Sequence, residues 1–149
     1  MKDEQLIKKL KEFKFFKIKK GKEVLKEKGI DVTKKITKKN TNDKNWLNDN
    51  MIWGITEDKE GYVWIGTDIG GLNRFDRKSR TFKHYKNIPK DNSSISYNRV
   101  LSICEDQYGM LWVGTNGRGL NKFNKKTGKF KQYTNTSNLR IVYMAIDKD

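Results

Sequence analysis

A block of this chain occurs twice, at a constant spacing of 48 residues and with no insertion or deletion between the copies. The segment VWIGT at 63–67 recurs as LWVGT at 111–115, and GLNRFD at 71–76 recurs as GLNKFN at 119–124. The flanking segments ITED at 55–58 and FKHY at 82–85 recur in the same way, as ICED and FKQY. A fixed period of this length indicates a repeated supersecondary unit, which constrains the fold more than any single motif does.

Each copy contains four short segments with strand character, separated by turn residues. The predicted strands cover 51–57, 62–66, 72–75 and 81–85 in the first copy, and 99–105, 110–114, 120–123 and 129–133 in the second. The first turn is Asp-x-x-Gly in both copies, at 58–61 and 106–109. Aspartate can accept hydrogen bonds from the turn backbone, and glycine supplies a positive φ, so each pattern predicts a hairpin. Four antiparallel strands per repeat are typical of a β-propeller blade.

The sequence therefore predicts an all-β fold, a partial β-propeller with two four-stranded antiparallel blades and the first strand of a third. The predicted organisation is a Lys-rich leader at 1–40, helical or partly disordered, followed by blade one at 41–87, blade two at 88–135 and the start of a third blade at 136–149. A propeller needs about 4–8 blades to close. Three explanations stay open at this point: several copies form a ring, the chain is a piece of a longer gene product, or it is a remnant of one.

The large apolar residues that recur at the same place in both copies are predicted core residues. Trp64, Trp112, Phe75 and Phe123 are expected in the packing between blades. The small residues of strand one, Gly54 and Ser102, are expected to leave room for an aromatic side chain of the adjacent sheet. Cys104 is the only cysteine, so no internal disulfide can form, and it is predicted to be a small strand residue.

The leader carries most of the net positive charge. Its 15 Lys and 6 Asp or Glu give a net charge of +9, out of +15 for the chain. Leu6, Ile7, Leu10 and Phe13 have helical spacing, so the leader could bind a membrane surface or an acidic partner, pack on the repeats, or fray. Nucleic acid is a less favoured partner, because Lys outnumbers Arg 27 to 6 and base recognition favours Arg.

The repeated stretch E-D-x-x-G-x-(V/L)-W-(I/V)-G-T-x-x-x-G-L-N-(R/K)-F, at 57–75 and 105–123, resembles the two-component regulator propeller repeat. The segment PKDNSSIS at 89–96 is similar to the loop that joins blades in that family, and 43–50 resembles a worn copy of it. The resemblance extends over about residues 41–149. It implies a propeller that acts as a sensor, often of oligosaccharides, outside the cytoplasmic membrane and before a membrane span and a histidine kinase or other output domain.

The chain departs from that family plan in several respects. It has no run of 18 apolar residues and no apolar core of a secretory signal. The sequence therefore predicts a cytoplasmic location for the chain as it stands, and an extracytoplasmic one if it is a fragment of a membrane sensor.

The candidate site is a rim of polar loop residues. In a propeller the loops between strands two and three share one rim with the loops between blades, and polar side chains there suit sugar hydroxyls. The candidate ligand-binding residues are Thr67, Asp68, Asn116, Arg118, Asn50, Asn98 and Arg99. No catalytic, metal or cofactor site is expected, because the sequence has no His or Cys cluster and its adjacent carboxylates lie in hairpins. The predicted function is non-catalytic binding of a small ligand such as a glycan. The alternative is a protein-interaction or structural module whose leader docks an acidic partner or membrane.

Overall fold

The computed structural model describes residues 25–27, 46–133, 141 and 144. Its eight strands are β1 (Ile52–Glu57), β2 (Val63–Thr67), β3 (Leu72–Asp76), β4 (Thr81–Tyr85), β5 (Val100–Glu105), β6 (Leu111–Thr115), β7 (Leu120–Asn124) and β8 (Lys129–Tyr133). They form two antiparallel sheets with the orders β1-β2-β3-β4 and β5-β6-β7-β8. The predicted all-β fold with two four-stranded blades is confirmed. We call the first sheet blade one and the second blade two.

The repeat is conserved in register as well as in sequence. Ile55 pairs with Ile65 in blade one, and Ile103 pairs with Val113 in blade two. Strands β1 and β5 have an irregularity in pairing at the same place, between residues 52 and 54 in β1 and between residues 100 and 102 in β5. The predicted helix of the leader lies outside the described residues except for one helical turn at 25–27, and the predicted third blade lies outside them except for residues 141 and 144.

The first hairpin of each blade is built around its aspartate. Asp58 Oδ1 accepts hydrogen bonds from the backbone N–H groups of Glu60 and Tyr62, at 3.0 and 2.9 Å. Gly61 has a φ of +85°, where a side chain would be strained. Asp106 makes the equivalent bonds to residues 108 and 110. The hairpin turn predicted from the Asp-x-x-Gly pattern is therefore confirmed, with both the aspartate and the glycine in the roles expected of them.

The same aspartate also binds the tryptophan of the following strand. Trp64 Nε1 donates to Asp58 Oδ2 at 2.7 Å, and Trp112 Nε1 donates to Asp106 Oδ2 at 3.0 Å. A buried indole N–H needs an acceptor, so the aspartate allows the tryptophan to lie in the interior. This second role was not predicted from the sequence.

Blade two packs against blade one through a large apolar cluster. Trp64 is fully buried and meets Phe123 edge-on, with ring centroids 5.5 Å apart. Tyr85 contacts Phe123 at 4.8 Å and Phe130 at 6.1 Å. Trp64 and Phe123 therefore lie between the blades, as predicted. Phe75 lies instead on the opposite face of blade one, in a separate cluster with Leu25 and Leu47.

Small residues allow the backbones of the two blades to approach closely. A Cβ added at Gly54 would lie 3.2 Å from the carbonyl oxygen of Leu101. The prediction that Gly54 makes room for an aromatic ring is wrong, because the neighbour is the backbone of β5. At Gly66 the approach is closer still, since a Cβ there would lie 2.6 Å from Val100 Cγ1 and 2.8 Å from its carbonyl oxygen.

We expect Gly66→Ala to destabilise the protein by about 1–3 kcal/mol, because the added methyl group overpacks the joint between the blades. Urea denaturation followed by circular dichroism measures this loss. Gly54→Ala is the matched comparison, since its added Cβ would lie 3.2 Å from the nearest atom and would need the neighbouring backbone to shift by less than at Gly66. Equal losses in the two variants would show that Val100 moves aside, and that the contact at Gly66 does not set the distance between the blades.

Candidate functional site

The β2–β3 and β6–β7 loops and the segments that lead into β1 and β5 lie together at one end of the blades. Asp68 donates its backbone N–H to the carbonyl of Met51, and Asn116 donates its own to the carbonyl of Arg99, both at 3.0 Å. We call the described residues 49–51, 53, 68–70, 97–99 and 116–118 the loop rim. The repeated strand order places the same loops of both blades on this one rim.

The centre of the loop rim in blade one is a carboxylate that binds an indole and a guanidinium. Trp53 Nε1 donates to Asp68 Oδ1 at 2.9 Å. Arg99 Nη2 donates to Asp68 Oδ2 at 3.1 Å, and Arg99 Nε lies 2.7 Å from Asp68 Oδ1 as an ion-pair contact. The arginine comes from the segment before blade two, so this ion pair also joins the two blades. The three side chains form a pre-organised polar surface with a half-buried aromatic ring.

The remaining predicted site residues have different positions. Arg118 is exposed, while Asn116 and Asn50 are half-buried on the same rim. Asn98 uses its side-chain oxygen to accept the backbone N–H of Asn87 at 2.7 Å. Thr67 is fully buried and donates its hydroxyl to the carbonyl of Gly71 at 3.1 Å, so it lies beneath the surface that a ligand would contact.

Three further features of the rim were not predicted from the sequence. Trp53 was assigned only to strand one, although its indole faces Asp68. Asp49 accepts the backbone N–H of Ile69 at 2.7 Å and that of Met51 at 3.1 Å, so it orders the loop. Exposed apolar side chains complete the rim, with Met51 45%, Ile69 68% and Tyr97 41% exposed. Hydrophobic exposure in a loop has no sequence signal as clear as a polar motif.

The opposite end of the blades contains a buried ion cluster. Lys125 Nζ lies 2.7 Å from Glu105, 3.2 Å from Asp58 and 3.1 Å from Glu60. The side chains of Lys125, Glu105 and Asp58 are only 9%, 8% and 0% exposed, whereas that of Glu60 is 59% exposed. We call these four residues the inter-blade ion cluster, because Asp58 and Glu60 belong to blade one and the other two to blade two. Lys125 Nζ already lies among the three carboxylates, so the cluster joins the blades rather than offering an open cation site.

The described residues give little basis for nucleophilic or metal chemistry. Burial first, and then the nearby charge of Asp106, raise the pKa of the Cys104 thiol, which disfavours the reactive thiolate. Within residues 25–27, 46–133, 141 and 144, no three His, Cys, Asp or Glu side chains are grouped so that they could hold a metal ion. In the same part of the chain, no helix has the length and apolar composition needed to cross a bilayer.

Comparison with protein families confirms the repeat. Residues 47–68 and 94–117 match the model of the two component regulator propeller family. The first match begins before β1 and ends at Asp68 in the β2–β3 loop, and the second begins before β5 and ends at Gly117 in the β6–β7 loop, so each includes most of the loop rim of its blade. The match is shorter than the sequence resemblance over 41–149. No curated protein matches the chain with significance.

Several solved structures are similar over part of the chain. An extracellular domain assigned to a hybrid two component system of B. thetaiotaomicron is 23% identical, with a TM-score of 0.48, over 59% of this chain and 19% of that one. Another from the same organism, assigned to a one component system, is 29% identical with a TM-score of 0.46, over 56% and 11%. Virginiamycin B lyase of Staphylococcus aureus is 22% identical with a TM-score of 0.44, over 56% and 27%. The chain thus spans less than a third of each of these structures.

Proposed function

We propose that this chain, which carries two copies of the two component regulator propeller repeat, is a non-catalytic sensor segment that binds a small polar ligand at the loop rim. The observation that carries the proposal is the arrangement of Trp53, Asp68 and Arg99, in which a carboxylate holds an indole and a guanidinium beside each other. Oxygen and nitrogen groups next to apolar side chains are the chemistry that recognises a sugar, so a glycan is the proposed ligand class.

The proposed contact residues differ in what they do. Arg118 and Asn116 lie on the rim and are the residues proposed to reach the ligand. Asp68 and Arg99 position the rim and fix the joint between the blades through their ion pair. Substituting Asp68 would therefore change both stability and binding, and it would not separate the two effects.

The wider setting is also a proposal. The resemblance of the repeats to the two component regulator propeller family implies a place outside the cytoplasmic membrane, as part of a longer sensor. Two blades leave a propeller open, so further blades would come from the same protein or from other copies of this chain. The domain limits at 41–87 and 88–135 and the docking of the leader on an acidic partner or membrane remain predictions.

The test of the proposed function is a glycan array followed by titration calorimetry with any oligosaccharide that binds. We expect Arg118→Ala to weaken binding by about tenfold, equivalent to about 1.4 kcal/mol, because it removes a charged hydrogen-bond donor from the rim. Its melting temperature should stay unchanged, since the hydrogen bond of Arg118 among the described residues uses its backbone carbonyl, which accepts from the hydroxyl of Ser96 at 3.0 Å.

Lys126→Ala is the matched control for this experiment. Lys126 is an exposed cation in the β7–β8 turn, at the end of the blades opposite the loop rim. Its loss changes the net charge as much as the loss of Arg118 does, so a general electrostatic effect would weaken binding equally in both variants. Equal affinities for Arg118→Ala and the wild-type protein, or no oligosaccharide bound on the array, would contradict the proposed site.

A further inference from the structure

The face of blade one that points away from blade two, which we call its outer face, has apolar residues at the same repeat positions that blade two uses to pack against blade one. Each of five positions has its counterpart 48 residues later: Ile52 and Val100, Val63 and Leu111, Ile65 and Val113, Phe75 and Phe123, Phe82 and Phe130. In blade two, this set covers Trp64 of the preceding blade. The repeat therefore presents a blade-packing surface on the outer side of blade one.

That surface is covered by the chain itself. Leu25 and Leu47 lie in one cluster with Phe75 and Phe82. Leu47 is the counterpart of Ile95, which is 48 residues later and buried in the cluster between the blades, so Leu47 belongs to the repeat. Leu25 is not part of the repeat, and it lies where blade one would meet the aromatic residues of a preceding blade.

The helical turn 25–27 is anchored by one side chain. Leu25 is fully buried, whereas Lys26 and Glu27 beside it are exposed. We propose that this turn is an intramolecular cap, which closes the outer face of blade one at the place where a preceding blade would pack. Capping of this kind is what an open stack of repeats needs at its terminal unit, because the last apolar face otherwise meets water.

The ionic edge of the same face supports this interpretation. Lys125 of blade two pairs with Glu105 of its own blade and reaches back to Asp58 of blade one. Its counterpart Arg77 forms the equivalent pair with Glu57, at 2.8 and 2.9 Å, and its side chain is 40% exposed. The turn thus covers the apolar part of the face and leaves at the surface the cation that would reach back to a preceding blade. While the turn covers this face, a preceding blade cannot pack there, so a propeller ring cannot close through it.

The test is hydrogen exchange by mass spectrometry on the full-length chain with Leu25→Asp. We expect exchange in blade one, over Ile52–Tyr85, to rise at least tenfold, because a buried carboxylate would expel the turn and open the face. Exchange over Val100–Tyr133 should change much less. Lys26→Asp is the matched control, since it introduces the same residue at the exposed neighbouring position and should leave exchange in both blades unchanged.

Two outcomes would overturn the cap. One is that blade one of the Leu25→Asp variant exchanges at the same rate as in the wild-type protein, which would show that the turn does not protect this face. The other is an equal rise in both blades, which would make Leu25 a general core residue. If Leu25→Asp does not fold, Leu25→Ala replaces it, with a smaller rise still confined to blade one as the supporting result. None of these measurements depends on ligand binding, so they test the cap separately from the proposed function.

Discussion

Trp64→Ala is expected to lower the free energy of unfolding by about 3–5 kcal/mol. An ordinary domain is stable by about 5–15 kcal/mol in total, so this loss is a large part of it. Trp64 is fully buried and contacts Tyr85 and Phe123, with ring centroids 5.9 and 5.5 Å away. The substitution opens a cavity between the blades. It also removes the indole donor that lies 2.7 Å from Asp58, so a buried carboxylate loses a hydrogen bond.

Trp112→Ala provides the control within the same chain. Trp112 has the same hydrogen bond to its aspartate, but it is only half-buried, against Tyr133 at 5.6 Å and Lys122 at 4.9 Å. We expect less than half the loss found for Trp64→Ala, because less apolar surface is buried at this position. Urea denaturation followed by far-ultraviolet circular dichroism measures both. Equal losses would mean that the tryptophan stabilises its own hairpin and contributes little to the joint between the blades.

The repeat was sufficient to predict the strands, because hairpin chemistry and strand alternation are local properties. Strands β1 to β8 lie within one residue of the predicted limits at every end. Alternation also shows which side chains share a face of a sheet, but it does not show what covers that face at the end of a series of repeats. Phe75 was therefore placed against a blade, whereas its neighbours include Leu25 of the leader.

The candidate site was predicted in part for a related reason. Strand order alone places Asp68, Arg99 and Asn116 at one end of the blades, and the structure brings the first two into contact. Thr67 was assigned to the same loop, but β2 extends through it and the residue is buried. Lys125 lies in a turn of Lys and Thr, where a solvated side chain is the ordinary expectation. Its burial depends on Asp58, 67 residues away, which local sequence does not show.

Lys125→Met is expected to lower the free energy of unfolding by about 3–5 kcal/mol, because it leaves buried carboxylates without their cation. Glu105 would keep the backbone N–H of Lys59 at 2.9 Å, and Asp58 would keep Trp64, but no cation would lie between the two carboxylates at the joint. Arg77→Met is the matched control. It removes the equivalent cation from an exposed pair with Glu57, which is expected to contribute about 0–1 kcal/mol.

The pH dependence of stability distinguishes the charge of Lys125 from its packing. Burial alone would lower the pKa of Lys125, but hydrogen bonds from its ammonium to Glu105, Glu60 and Asp58 outweigh this and raise it. The unfolded chain releases this proton near pH 10.4, while the folded protein keeps it to higher pH. The stabilisation by Lys125 is therefore complete below about pH 10 and decreases as the pH rises further. We expect the stability difference between wild type and Lys125→Met to be the same at pH 7 and pH 9 and smaller at pH 11. A difference that stays constant to pH 11 would show that Lys125 stabilises the joint through its alkyl chain, since packing does not titrate.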